Sequence, residues 1–212
     1  MKQKRRICLI GNGEMPQPEV MKIALGGVDM IVAVDGGSGI CRELNIVPDV
    51  IIGDFDSLPE DIGEIFPAAE MVTAADQNFS DMEKALVYAL KYKPERINIM
   101  SATGKRSDHY LANLLCFDKF AAEHEGIELF IYDNFGVMRF LGVGTHLFQK
   151  RKGKTVSFFS LASMAGLTMQ GFRYNLQQES FSDKFTGLSN VYEADECLVE
   201  FAKGRLIWYE CF

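Results

Sequence analysis

Thiol ligand pairs, long apolar runs and a net positive charge are all missing from this 212-residue chain. Its five cysteines, Cys8, Cys41, Cys116, Cys197 and Cys211, are scattered and odd in number. No two of them form a Cys-x-x-Cys pair, which excludes a thiolate metal or redox motif and leaves reduced, buried thiols as the reading. The three histidines form no spaced ligand set. No apolar stretch approaches the roughly 18 residues of a membrane span. The basic start from Met1 to Arg6 is followed only by Ile7 to Ile10 before Gly11 interrupts, too short for the core of a secretion signal. A cytoplasmic protein with no membrane partner is the expectation. A formal charge of -7 leaves little basic surface to displace counterions from nucleic acid, so no such partner is expected, although a local anion site stays open.

What is present is a core-forming composition, 48% hydrophobic, enough for one large domain or two small ones. As far as about Asp133, short β-rich runs alternate with helical patterns. The runs are Ile7 to Ile10, Ile31 to Val34, Val50 to Ile52, Ile97 to Met100 and Leu129 to Tyr132. Such alternation predicts an α/β domain, a parallel sheet with helices on both faces. Met82, Ala85, Leu86, Ala89 and Leu90 recur at helical spacing, and Ser80 with Glu83 fits a capping box, so a helix is predicted from Asp81. A second is predicted from Ser107 or Asp108 towards Glu123, with Leu111, Leu114 and Leu115 on one face.

Past Asn134 the strands follow one another without helices: Val137 to Leu141, Thr155 to Leu161, Leu198 to Phe201 and Arg205 to Tyr209. Ala202-Lys203-Gly204 reads as a hairpin turn between the last two. The expected division is residues 1–135 as an α/β domain and 136–212 as a smaller antiparallel β-sandwich. A sandwich of that size is short of core unless it docks or dimerises.

In open parallel sheets ligands bind beyond the carboxyl ends of the strands, and those positions are rich in aspartate here. Asp35-Gly36-Gly37 follows one strand, and its glycines would let backbone amides approach a phosphate. Gly53-Asp54-Phe55-Asp56-Ser57 follows the next. In extended chain Asp54 and Asp56 point the same way; Ser57 reads as a helix cap, which does not account for both carboxylates. Asp81 and Asp108 each stand at a predicted helix start, where an aspartate commonly serves the helix dipole. Converging at one edge, the four would repel unless a cation neutralised them, and an oxygen-only donor set suits magnesium. Lys84, Lys105 and Arg106 add the positive charge that a metal-bound polyphosphate requires.

Together, in this order, Asp35-Gly36-Gly37, Gly53 to Ser57, Asp76-Gln77 through Leu86, and Gly104 through His109 resemble the thiamine pyrophosphokinases. Gly171 to Leu176 and Gly187 to Asn190 extend the resemblance over nearly the whole chain. It implies transfer of pyrophosphate from ATP to thiamine, with magnesium, in a homodimer. It further implies that Asp54, Asp56, Asp81 and Asp108 surround the metal and the phosphates. Asn12, Asp35, Gly36, Gly37, Gln77, Lys84, Arg106 and His109 would serve the nucleotide side. Tyr174, where many relatives carry tryptophan, would stack on thiamine, with Ser189 and Asn190 bonding its aminopyrimidine. Read without the family, Tyr174 is more often a core or interface aromatic. The chain departs from the pattern at Asn78, where relatives carry aspartate, and at Ser101 and Lys105, where they carry glycine. The rival readings are a pyrophosphokinase for another hydroxymethylated heterocycle such as a pterin, a haloacid-dehalogenase-type phosphatase using Asp54-Phe55-Asp56-Ser57, and a non-catalytic sensor.

Overall fold

The computed structural model describes residues 5–55, 61–73 and 78–212. They form two compact units, Met1–Asn134 and Phe135–Phe212.

In the first unit, strand and helix alternate: β1 (Arg5–Ile10), α1 (Pro18–Ala24), β2 (Met30–Val34), α2 (Gly37–Glu43), β3 (Val50–Gly53), α3 (Ile62–Ile65), β4 (Glu70–Thr73), α4 (Asp81–Leu90), β5 (Pro94–Met100), α5 (Ser107–Glu123) and β6 (Glu128–Tyr132). The strands pair in parallel in the order β4-β3-β2-β1-β5-β6. Their near-continuous Val, Ile and Leu runs suit a sheet covered on both faces, and Ile7, Leu9, Val32, Ile51, Ile97 and Ile99 are fully buried. From β1 to β4 the chain steps one way across the sheet; from β4 it returns past β1 to β5 and β6. With right-handed crossovers, α1 to α3 cover one face and α4 and α5 the other. The reversal makes the β1/β5 boundary the topological switch point.

Both predicted helices form. Ser80 caps α4 by accepting from the Glu83 backbone N–H at 3.2 Å, while the Glu83 carboxylate accepts from Lys119 of α5 instead of closing the box. On α5 the buried positions are Phe117 and Phe120; Leu111 and Leu115, expected on the packed face, are 57% and 62% exposed. Apolar spacing reveals that a helix exists but not which stripe meets the sheet.

The second unit is all β: β7 (Gly136–Leu141), β8 (Gly144–Gln149), β9 (Thr155–Ser160), β10 (Met164–Gln170), β11 (Leu176–Phe181), β12 (Phe185–Val191), β13 (Glu196–Phe201) and β14 (Leu206–Cys211). These pair antiparallel in the orders β12-β9-β14-β7 and β11-β10-β13-β8. The core between them holds Phe158, Phe172, Tyr192, Phe201 and Trp208, with the Trp208 indole N–H donating to the Tyr192 hydroxyl at 2.8 Å.

The expected hairpin at Ala202-Lys203-Gly204 is not one. β13 pairs with β8 and β10, whereas β14 pairs with β7 and β9 in the other sheet. The intervening residues are held to β10 by reciprocal bonds between Ala165 and Lys203, so the chain crosses the sandwich there. Crossing lets both strands turn alternate apolar side chains onto the shared core, and the local turn residues are the same in either case.

Candidate active site

The carboxyl ends of β1, β2 and β5 open onto a cavity of about 480 Å³, at the switch point of the sheet. Three loops frame it. The chain after β1 is drawn under the loop after β5, with Gly13 N donating to Ser101 O and Glu14 N to Thr103 O. An added Cβ on Gly13 would collide with both carbonyl oxygens, so only glycine fits there. Gly37, opening α2, lies equally close to the Ile10 carbonyl oxygen. Asn113 of α5 anchors the β5 loop by donating to Ala102 O at 2.9 Å.

Asp35 follows β2 with a left-handed φ of 46°. Its N–H donates to Ile52 O at 2.8 Å, and its carbonyl accepts from the Ser38 backbone and hydroxyl. A Cβ built on Gly53 would lie 3.2 Å from Asp35 Oδ1, so Asp35 abuts the residue just before Asp54. Asp35 lines the cavity, as do Asn12, Asp81, Arg106 and His109. Asp54 is exposed beyond β3. Asp56 and Gln77, and the expected Ser57 cap, lie outside the described residues.

Charges around the cavity are paired in specific ways. Lys84, 11% exposed, donates to Asp81 Oδ1 at 3.0 Å. Arg106 grips Asp108 with two bonds, Nε to Oδ1 at 3.1 Å and an Nη to Oδ2 at 2.6 Å, and the His109 N–H also donates to Asp108 at 3.0 Å. The Arg106 hydrogen bond is the main reason the Asp108 carboxyl is held down at about 2. Lys105 reaches across to Asn12 Oδ1 at 3.2 Å, and the Asn12 amide covers Gly36 with no room for a Cβ. Among the described residues no group of three or more His, Cys, Asp or Glu stands close enough to hold a metal. The donor chemistry nonetheless fits magnesium, since the acidic side chains at the cavity, Asp35 and Asp81, offer oxygen, and no cysteine lines it.

In the second unit Tyr174, Ser189 and Asn190 come together. Asn190 is buried, accepts from the backbone N–H of Tyr174 and Val191, and donates to Tyr174 O at 2.8 Å. Its amide thus holds the Tyr174 turn and has one hydrogen left for anything else. The Tyr174 ring projects outward, 63% exposed. Ser189, at φ 54°, sits in the register shift between β12 and β9, its N–H donating to Ser157 Oγ at 3.0 Å. Ser101 also lines the cavity, as do Ser80, Met82 and Asn113, which were not expected there; nothing in the local sequence distinguishes these three from ordinary cap, core or helix residues.

A parallel sheet whose switch point carries amide-lined loops, carboxylates and cations around one cavity is the frame of a phosphate-transferring enzyme. The sequence matches the profile of the thiamin pyrophosphokinase catalytic domain over residues 22–131 and that of the thiamin pyrophosphokinase vitamin B1 binding domain over residues 145–206. It is 30% identical over 183 residues to a thiamine pyrophosphokinase of Bacillus subtilis (strain 168), covering 83% of this chain and 84% of that protein. The fold is similar to the crystal structure of thiamine pyrophosphokinase from Bacillus subtilis, with a TM-score of 0.86 at 25% identity, covering 98% of this chain and 99% of that one. It also matches the thiamin pyrophosphokinase from Candida albicans, with a TM-score of 0.84 at 15% identity over 99% and 89% of the two chains, a likeness of fold. The chain belongs to the thiamin pyrophosphokinase family, whose members are ATP-dependent diphosphotransferases. The haloacid-dehalogenase reading of Asp54 to Ser57 gives way to that membership.

Proposed function

We propose that this protein transfers the pyrophosphoryl group of ATP to the hydroxyethyl oxygen of thiamine, releasing AMP and thiamine diphosphate. The observation that carries this is the cavity at the switch point, with carboxylates and cations side by side on amide-lined loops. The new bond joins the thiamine oxygen to the β-phosphorus, and the bond broken is that between the β-phosphorus and the oxygen bridging to the α-phosphorus. Asp54, Asp56, Asp81 and Asp108 are the carboxylates assigned to magnesium, which when bound disperses charge on the phosphates. Asn12, Asp35 to Gly37, Gln77, Lys84, Arg106 and His109 are assigned to the nucleotide. Fixed donors and cations of this kind lower the barrier by positioning and by electrostatics rather than by covalent chemistry.

Tyr174 is assigned to thiamine. A projecting ring whose backbone is held by buried Asn190 suits stacking on a flat cationic heterocycle, and Ser189 precedes Asn190 in the chain. Residues 1–135 would then be the catalytic part, and 136–212 the thiamine-binding and dimerisation part of a homodimer. The five cysteines are unbridged, and no helix among the described residues is long and apolar enough to cross a membrane; both suit the cytoplasm.

Product analysis tests the proposal. Pure protein with ATP, magnesium and thiamine should yield AMP and thiamine diphosphate in equal amounts. ADP with thiamine monophosphate, inorganic phosphate alone, or turnover of a hydroxymethyl pterin in place of thiamine would overturn it.

A further inference from the structure

We propose that Lys105 is the cation that meets the polyphosphate of the bound nucleotide. The inference rests on the ATP-dependent function proposed above and assigns a residue to it. Lys105 and Arg106 line the cavity, and Lys84 stands behind its Asp81; two of these three cations are committed. Arg106 is bound twice by Asp108, and Lys84 is bound by Asp81 at 3.0 Å. Lys105 pairs with no carboxylate among the described residues. Among the described residues its partner is the neutral Asn12 Oδ1 at 3.2 Å, which leaves two ammonium hydrogens and the charge for a ligand.

The backbone gives an independent reason. Lys105 has φ 53° and follows Gly104 at φ 75°, a left-handed pair in which an L residue with a long side chain is disfavoured and glycine is at ease. Such strain persists where the surroundings fix it and the residue has a use. The bond to Asn12 draws the ammonium towards the loop after β1, over the cavity both residues line. Two residues on, the 17-residue helix α5 begins, its positive end without a side-chain cap from Arg106. Ser101, also left-handed at φ 55°, has a buried hydroxyl beside the same cavity with no partner among the described residues.

Calorimetric titration with α,β-methylene-ATP, which cannot transfer its pyrophosphoryl group, reads this directly in magnesium buffer at low and high salt. Lys105→Gly relieves the backbone and removes the cation; Lys105→Gln keeps the strained backbone and a donor for Asn12 but not the charge. Both should bind the analogue about tenfold more weakly than wild type, with a flatter salt dependence. Adenosine binding should be unchanged and the thermal midpoint of Lys105→Gly no lower. Wild-type affinity in Lys105→Gln would reduce Lys105 to a strap on Asn12 and overturn the inference, as would an equal loss for adenosine. A wild type that binds no analogue would instead overturn the proposed function, and this assignment with it.

Discussion

Tyr174 and Asn190 divide one task between a surface ring and a buried amide. Replacing the outward Tyr174 by alanine removes a stacking and cation-π contact of about 1 kcal/mol and almost no packing. The expected outcome is a five- to tenfold rise in KM for thiamine, from ~1 kcal/mol, with the urea midpoint unmoved. Asn190→Ala takes the part-buried acceptor from the backbone donors of Tyr174 and Val191. It should destabilise the protein by about 2 kcal/mol and raise the same KM through loss of the turn. Equal destabilisation by both variants would show that Tyr174 is a packing residue. In the first unit Gly13 and Gly37 follow the same residue-level logic, being required by carbonyl oxygens that no Cβ could pass.

At the scale of elements, α4 carries Asp81 and Lys84 to the cavity, and its start is fixed by Ser80. Ser80→Ala should cost about 1 kcal/mol by urea unfolding, and should impair nucleotide binding as the first turn frays; no loss in either measurement would remove the cap from the account. That helix was legible because capping residues and apolar spacing agree over Ser80 to Leu90. The buried strands β1, β2, β3, β5 and β6 were legible as short apolar runs. β4 was not, being a short, mostly exposed Glu-Met-Val-Thr segment, and neither were α1 to α3, at seven, seven and four residues. The sandwich was legible as strands but not as pairings, because Ala202 to Gly204 reads alike in a hairpin and in a crossing between sheets. The cavity-lining Asn12 and Asp35 follow strands β1 and β2, and position alone marks them. Asn113 was not legible, since its loop contact depends on how α5 lies along the sheet.

For the molecule as a whole, the charge of -7 coexists with a cavity that gathers Lys105 and Arg106 on one loop, so local arrangement decides what is bound. Its cysteines report on the packing of the first unit. Burial pushes the Cys8 thiol far up and that of Cys41 to about 12. Neither should react with a thiol reagent at pH 8 until the protein is unfolded in urea; labelling of both in the native state would contradict the packing of β1 against α2.

In the proposed function, carboxylates at the sheet edge hold a metal against a nucleotide triphosphate. The most direct test is the affinity for α,β-methylene-ATP with magnesium and with EDTA, in wild type, Asp54→Asn and Asp81→Asn. Magnesium should tighten wild-type binding at least tenfold, about the 1.4 kcal/mol of one good charged contact, and each variant should lose most of that gain. Binding that ignores both the metal and these two substitutions would contradict the account.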